Sequence, residues 1–191
     1  MKIKIFSILI IIFGISLTGY AVYEIAFTEV KAKESVEKAK QVVQGNPEEV
    51  SQSNTISEPE QGSIVGLLTL PKIEAELAIV EGTDPDDLEK GVGHYKGSYF
   101  PNENGQIVLS GHRDTVFKRV GELEIGDEMT VETSKGSFSY KIESTKVVEA
   151  DDTSIITLQN QEEELILTTC YPFGFIGNAP QRYIIYAKRV L

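Results

Sequence analysis

The chain has 191 residues, a net charge of −11 and 41% hydrophobic residues, which suits one ordinary domain with flanking segments and enough apolar content for a packed core. The acidity argues against a nucleic-acid binder, which presents a basic face. A single cysteine rules out an intramolecular disulfide, and no Cys/His cluster has zinc-ligand spacing.

In chain order, residues 5–23 form an apolar run with no charged residue, just long enough to span a bilayer as a helix, which takes about 20 residues. A cleaved signal peptide is the competing reading, but its apolar region is typically shorter and no small-x-small cleavage site follows. Lys2 and Lys4 precede the run, and Glu24 and Glu29 follow it. This predicts a single-pass membrane protein with a cytoplasmic N-terminus and everything beyond Tyr23 outside the cell. Residues 29–44 are rich in Ala, Glu, Lys and Gln, with Glu34 and Lys38 as an i,i+4 pair. They predict a polar helical stalk that lacks a broad apolar face and packs on nothing. Residues 45–62 carry Pro, Gly, Ser, Asn and Glu with almost no apolar content, which predicts a disordered linker that gives a tethered domain reach.

From Ser63 the composition changes to short apolar stretches separated by turn signals. Strands are predicted over 64–70, 77–80, 106–110, 128–132, 137–148, 164–169 and 182–190, with a hairpin at Ser134-Lys135-Gly136. A short helix is predicted over 84–90, with Thr83 or Asp84 as cap and Pro85 in its first turn, and a turn or short helix over 114–120. Many short strands with few helices indicate an antiparallel barrel or sandwich. The resulting layout is an anchor (1–28), a stalk and linker (29–62) and a main domain (63–191) that holds most of the acidity.

Three residues carry the chemistry. Cys170 ends the apolar stretch ELILTT, and Pro172 then stops the strand. An isolated cysteine is more often a buried small hydrophobe, but one at the exit of a buried strand can be presented at a barrel rim. His112 follows another buried strand after Gly111. Histidine is the usual proton carrier for a cysteine nucleophile, although a lone histidine is more commonly a surface-loop residue. Arg182 opens the last strand, where a guanidinium can donate to a developing oxyanion or simply be solvated. Arg113 and Arg119 are rival arginines near His112.

Together these residues stand in the motifs GHRDTVF (111–117), LILTTC (165–170) and QRYIIYAKRV (181–190), preceded by GVGHYKGSYFPNENGQIVLSGHRDT (91–115). The combination closely resembles the sortase family over about two thirds of the chain. The resemblance implies a mainly β fold, an eight-stranded sortase-type barrel with short helices behind an N-terminal transmembrane helix and stalk. It implies Cys170 as nucleophile, His112 as general acid/base, Arg182 as transition-state stabiliser and Thr169 as a substrate-holding neighbour. The reaction implied is cleavage of an LPxTG-like sorting signal on a surface protein, through a thioacyl-enzyme. Transfer to a peptidoglycan-precursor amine follows, with no metal or organic cofactor. The TTCYPF segment (168–173) and short domain look most like class D sortases of Gram-positive spore-formers. Pilus-building class C enzymes carry an Asp-Pro-aromatic lid and a second, C-terminal membrane segment, neither of which is expected here. A plain cysteine hydrolase and a non-catalytic surface barrel are the competing functions. His94 is expected to be structural rather than a second site histidine. Asp84, Asp86, Asp87, Asp151 and Asp152 are expected to be solvated loop acids rather than a calcium site, which would need six to eight converging oxygens.

Overall fold

A computed structural model describes residues 2–45, 59–175 and 177–190. Its body is a closed barrel with strand order β1-β2-β3-β4-β7-β8-β6-β5. The strands are β1 (Ile64–Leu70), β2 (Ala75–Glu81), β3 (Val92–His94), β4 (Gln106–Ser110), β5 (Glu128–Thr133), β6 (Gly136–Glu149), β7 (Glu164–Tyr171) and β8 (Gln181–Arg189). β2 with β3 and β4 with β7 pair in parallel, and the remaining pairs are antiparallel. The eight-stranded barrel expected from the resemblance is therefore present. Only β3 was not legible as a strand, and β7 runs on through Cys170 to Tyr171.

Alternation decides which side chains fill the barrel. Leu68, Leu70, Ile79, Ile107, Leu109, Met129, Val131, Leu165, Leu167 and Ile185 point inward and are buried. The opposite face of β7 and β8 is also covered: Ile166 and Ile184 pack with Val148 and with Ile155 of a 3₁₀ turn (Thr153–Ile155). Burial on both faces explains why these strands read as continuous apolar runs. At one end of the barrel the Tyr140 hydroxyl donates to Glu163 (2.6 Å) and Arg189 pairs with the same carboxylate (2.7 Å). Burial and the Glu163 carboxylate both push the Tyr140 phenol upward. This end is the base. The opposite rim holds the ends of β4 and β7 and the starts of β3 and β8.

A short helix, α2 (Pro85–Leu88), begins as expected after Asp84. Asp84 makes no capping bond, because its carboxylate accepts from Gln61 instead. Asp87 pairs with Lys90, and Asp152 caps the Thr153–Ile155 turn. Among the described residues no cluster of His, Cys, Asp or Glu could hold a metal ion.

The N-terminal helix α1 (Lys2–Val43) is unbroken. Side chains such as Ile10, Ile11, Phe13, Ile15 and Val22 are exposed. Among the described residues no helix span is long and apolar enough to cross a membrane. Side chains of Ile5, Ile8 and Leu9 fall outside the described set. The expectation that the stalk packs on nothing is overturned. Ala39 is buried with Leu67 of β1 and Ala78 of β2, and Val36, Val43 and Ile64 pack around them. Two salt bridges flank this contact, Lys40 to Glu76 (2.7 Å) and Lys31 to Glu89 (3.0 Å). The stripe is narrow, but small residues such as Ser35 and Ala39, both buried, let the helix come close. Lys31 thus lies at the rim where β3 starts, and Val43 lies at the base where β1 starts. The linker expectation falls mostly on residues 46–58, outside the described residues.

The docking is testable. Ala39→Leu forces extra methylenes between the helix and β1–β2, and overpacking of this kind costs about 1–3 kcal/mol. A lower Tm is expected for the full chain in detergent. An unchanged Tm would show that the helix is not docked in solution.

Candidate active site

The parallel pairing of β4 with β7 sets the site. Ser110 lies opposite Thr168, and the ladder extends one step further as the Gly111 amide donates to the Thr168 carbonyl (3.1 Å). The Thr169 hydroxyl, buried at 4% exposure, donates to the Gly111 carbonyl (2.7 Å). His112 is the next residue along this segment, at the start of the turn closed by the Phe117 amide on the His112 carbonyl (3.0 Å). On the other side of β7, Cys170 is the direct partner of Arg182 in the antiparallel β7–β8 pair. Cys170 and Arg182 are thus strand partners at one rim, and His112 follows the glycine that Thr168 and Thr169 hold.

They also share a face. Cys170 has the parity of Ile166, and Arg182 has that of Ile184; both of those isoleucines pack outside the barrel. By alternation Cys170 and Arg182 therefore project outward, and both are half-buried. Thr169 has the opposite parity and points inward, its hydroxyl committed to Gly111. Its side chain ties the segment that leads into His112 to β7.

The Arg182 guanidinium donates through Nη1 to the carbonyls of Ala179 (3.2 Å) and Gln181 (2.9 Å). The rivals are occupied elsewhere. Arg119 pairs with Glu122 (2.8 Å) and donates to the Ile73 carbonyl. Arg113 donates to three carbonyls of the segment between β7 and β8. His94 is not brought to the site. It is 1% exposed near the base, with Nδ1 at 2.7 Å from Glu81 and Nε2 at 3.0 Å from Ser98. Phe100 stacks on its ring (4.2 Å). This settles it as a structural histidine.

The residues that sequence reasoning missed are aromatic. Tyr171, Phe173 and Tyr183 form a mutual cluster with centroids 5.3–6.0 Å apart beside the rim. Phe173 lies so close to Gly121 that a Cβ there would sit 2.6 Å from its ring. The run Cys-Tyr-Pro-Phe was the available signal, since aromatics after a strand end need a partner to pack on.

Gly111 is equally constrained. A Cβ at this position would meet the Phe117 ring at 2.6 Å and Val116 at 2.8 Å. Phe117 is fully buried and cannot retreat, while Gly111 is held from the other side by Thr168 and Thr169. Gly111→Ala is therefore expected to displace His112, and misplacement on the ångström scale costs up to about 10²-fold. Steady-state kinetics on the folded variant should show kcat/KM down by roughly 10–100-fold. A wild-type value would mean that the loop absorbs the methyl.

A closed barrel with a half-buried cysteine at its rim, one segment from a histidine and one strand from an arginine, defines a cysteine transpeptidase of a known kind. The Sortase domain model matches residues 68–190, and the chain belongs to the sortase family. Among its relatives it is 54% identical to Sortase D of Bacillus subtilis, over 98% of each chain. It is also similar to solved structures. One is the Clostridium perfringens Sortase D5 transpeptidase, with TM-score 0.73 and 29% identity over 85% of this chain and 99% of that one. Another is sortase C of the same organism with its C-terminal cell wall sorting motif, with TM-score 0.64 and 26% identity over 84% and 88%. The class D character expected from TTCYPF agrees with the similarity to Sortase D and Sortase D5.

Proposed function

We propose that this enzyme cuts an LPxTG-like sorting signal and transfers the released protein to an amine of a peptidoglycan precursor outside the cell membrane. The observation that carries this is the pairing of Cys170 with Arg182, with the segment that leads into His112 tied to β7 through Gly111. The Cys170 thiolate attacks the threonine carbonyl carbon, forming a C–S bond and a tetrahedral oxyanion. Arg182 donates hydrogen bonds to that oxygen. The C–N bond breaks, and the leaving amine takes its proton from His112. An incoming amine then attacks the thioester and gives a proton to His112, and Cys170 departs as thiolate. Each group ends as it began. Thr169 contributes its backbone to the carbonyl's surroundings and its hydroxyl to the His112 loop.

For the membrane, the support is the charge-free run at residues 5–23, helical throughout and rich in exposed isoleucine. The lysines before it orient the barrel outward. Sortase C crystallised with a sorting motif supports a sorting signal as the substrate class here.

The test is a purified full chain in detergent given a Leu-Pro-Glu-Thr-Gly peptide, with and without added amine. Ligated product in the amine reaction is expected; free acid alone would reassign the protein as a hydrolase. Protease added to intact protoplasts is expected to digest residues 63–191. Protection would reverse the orientation.

A further inference from the structure

Arg113 follows His112 directly, yet its side chain serves another segment. Nη1 donates to the Pro172 carbonyl (3.3 Å), and Nη2 donates to the carbonyls of Phe175 (2.6 Å) and Gly177 (2.9 Å). The guanidinium also lies over the Phe175 ring (5.8 Å). All three acceptors belong to the segment joining β7 to β8, which leaves β7 just after Cys170. That segment has little hold on itself: its described internal backbone bond is Phe175 to Pro172 at 3.4 Å. Phe173 wedges one side of it against Gly121 and Tyr183. The other end supplies the Ala179 carbonyl on which Arg182 rests.

A planar fork with five donors suits three carbonyls that diverge from one another. An ammonium is a point donor and cannot span them. Charge-assisted bonds of this kind are also about twice as strong as neutral ones, and they offset part of the backbone entropy lost in ordering the segment. The arginine is therefore tied to the wall of the groove rather than to the reacting carbonyl.

We propose that Arg113 is a positioning residue: it latches the β7–β8 segment to the His112 loop and so fixes one wall of the groove that receives the sorting signal. It acts on substrate binding, through the loop, and not on the transition state. This rests on the sorting-signal reading above, and the experiment separates the two.

Arg113→Ala and Arg113→Lys are made in the full chain in detergent, and the Leu-Pro-Glu-Thr-Gly peptide is the probe. KM is expected to rise about tenfold in the alanine variant while kcat falls far less, as losing a net hydrogen bond or two would produce. Lysine should recover less than half of the loss. On a Cys170→Ala background, the peptide's Kd should weaken by the same factor. Hydrogen exchange of the amides of Phe173, Gly174, Phe175, Gly177, Asn178 and Ala179 should accelerate in both variants, and this readout needs no substrate. Unchanged exchange overturns the latch whatever peptide the enzyme takes. So does a fall in kcat at constant KM, which would place Arg113 on the transition state. If the wild-type enzyme ignores the peptide, the sorting-signal reading fails, and loop exchange alone decides the latch. Should the alanine variant not fold, the lysine variant carries the same comparison.

Discussion

Cys170→Ala is expected to abolish peptide cleavage while leaving the barrel folded. The sulfur is the only thiol in the chain, and it sits half-buried on the outer face of β7. Its loss leaves the apolar interior untouched, because Leu165, Leu167 and Thr169 fill that side. The stability change should be small. The rate change should not be: removing the nucleophile of a comparable acyl-transfer enzyme costs on the order of 10⁶ in kcat. A thiol alkylator should inactivate the wild-type enzyme in parallel. Circular dichroism checks the fold, and turnover is measured with freshly purified variant. Substantial residual cleavage in the folded alanine variant would remove Cys170 from the mechanism.

The second large effect concerns Arg182. Its Nη1 is held by two backbone carbonyls, which aims the guanidinium without any carboxylate partner competing for it among the described residues. Loss of one oxyanion donor costs about 10²–10³ in rate, or about 3–4 kcal/mol. Arg182→Ala should lose at least that much. Arg182→Lys keeps the charge but not the planar fork, and it too should lose much of the activity. The loss is expected in the acylation rate, measured by single-turnover mixing. An effect confined to KM would mean that Arg182 only grips the substrate. Arg113→Ala provides the contrast. A folded Arg182→Ala enzyme with near wild-type turnover, alongside collapse of kcat in Arg113→Ala, would show that the wrong arginine had been chosen.

Most strands were legible because burial on both faces leaves runs such as QIVLS and ELILTT that no loop would carry. β3 was not, since three residues including Gly93 and His94 show neither alternation nor an apolar run. The docking of α1 was missed for a different reason. Val36, Ala39 and Val43 make a helical stripe, but its one fully buried member is Ala39, and a methyl group carries little hydrophobic signal. At the site, the identities of Cys170, His112 and Arg182 came from motifs. Their juxtaposition did not, because β4 and β7 are distant in sequence and pair in parallel, which no local pattern announces. The arginine latch was invisible for the same reason: its acceptors are backbone carbonyls, which any sequence possesses.

The docked helix has one more consequence. Among the described residues α1 meets the barrel first at Lys31, which pairs with Glu89 ahead of β3, and runs from there toward the start of β1. Its earlier residues therefore leave the body on the catalytic side. With residues 5–23 in the bilayer as proposed, residues 24–30 alone separate lipid from barrel, a gap of about 10 Å at a rise of about 1.5 Å per residue. The rim that carries Cys170 would then lie nearer the headgroups than the base does. A protein destined for the surface would be severed almost as it emerges from the lipid, and the acceptor amine would have to be delivered at that same height.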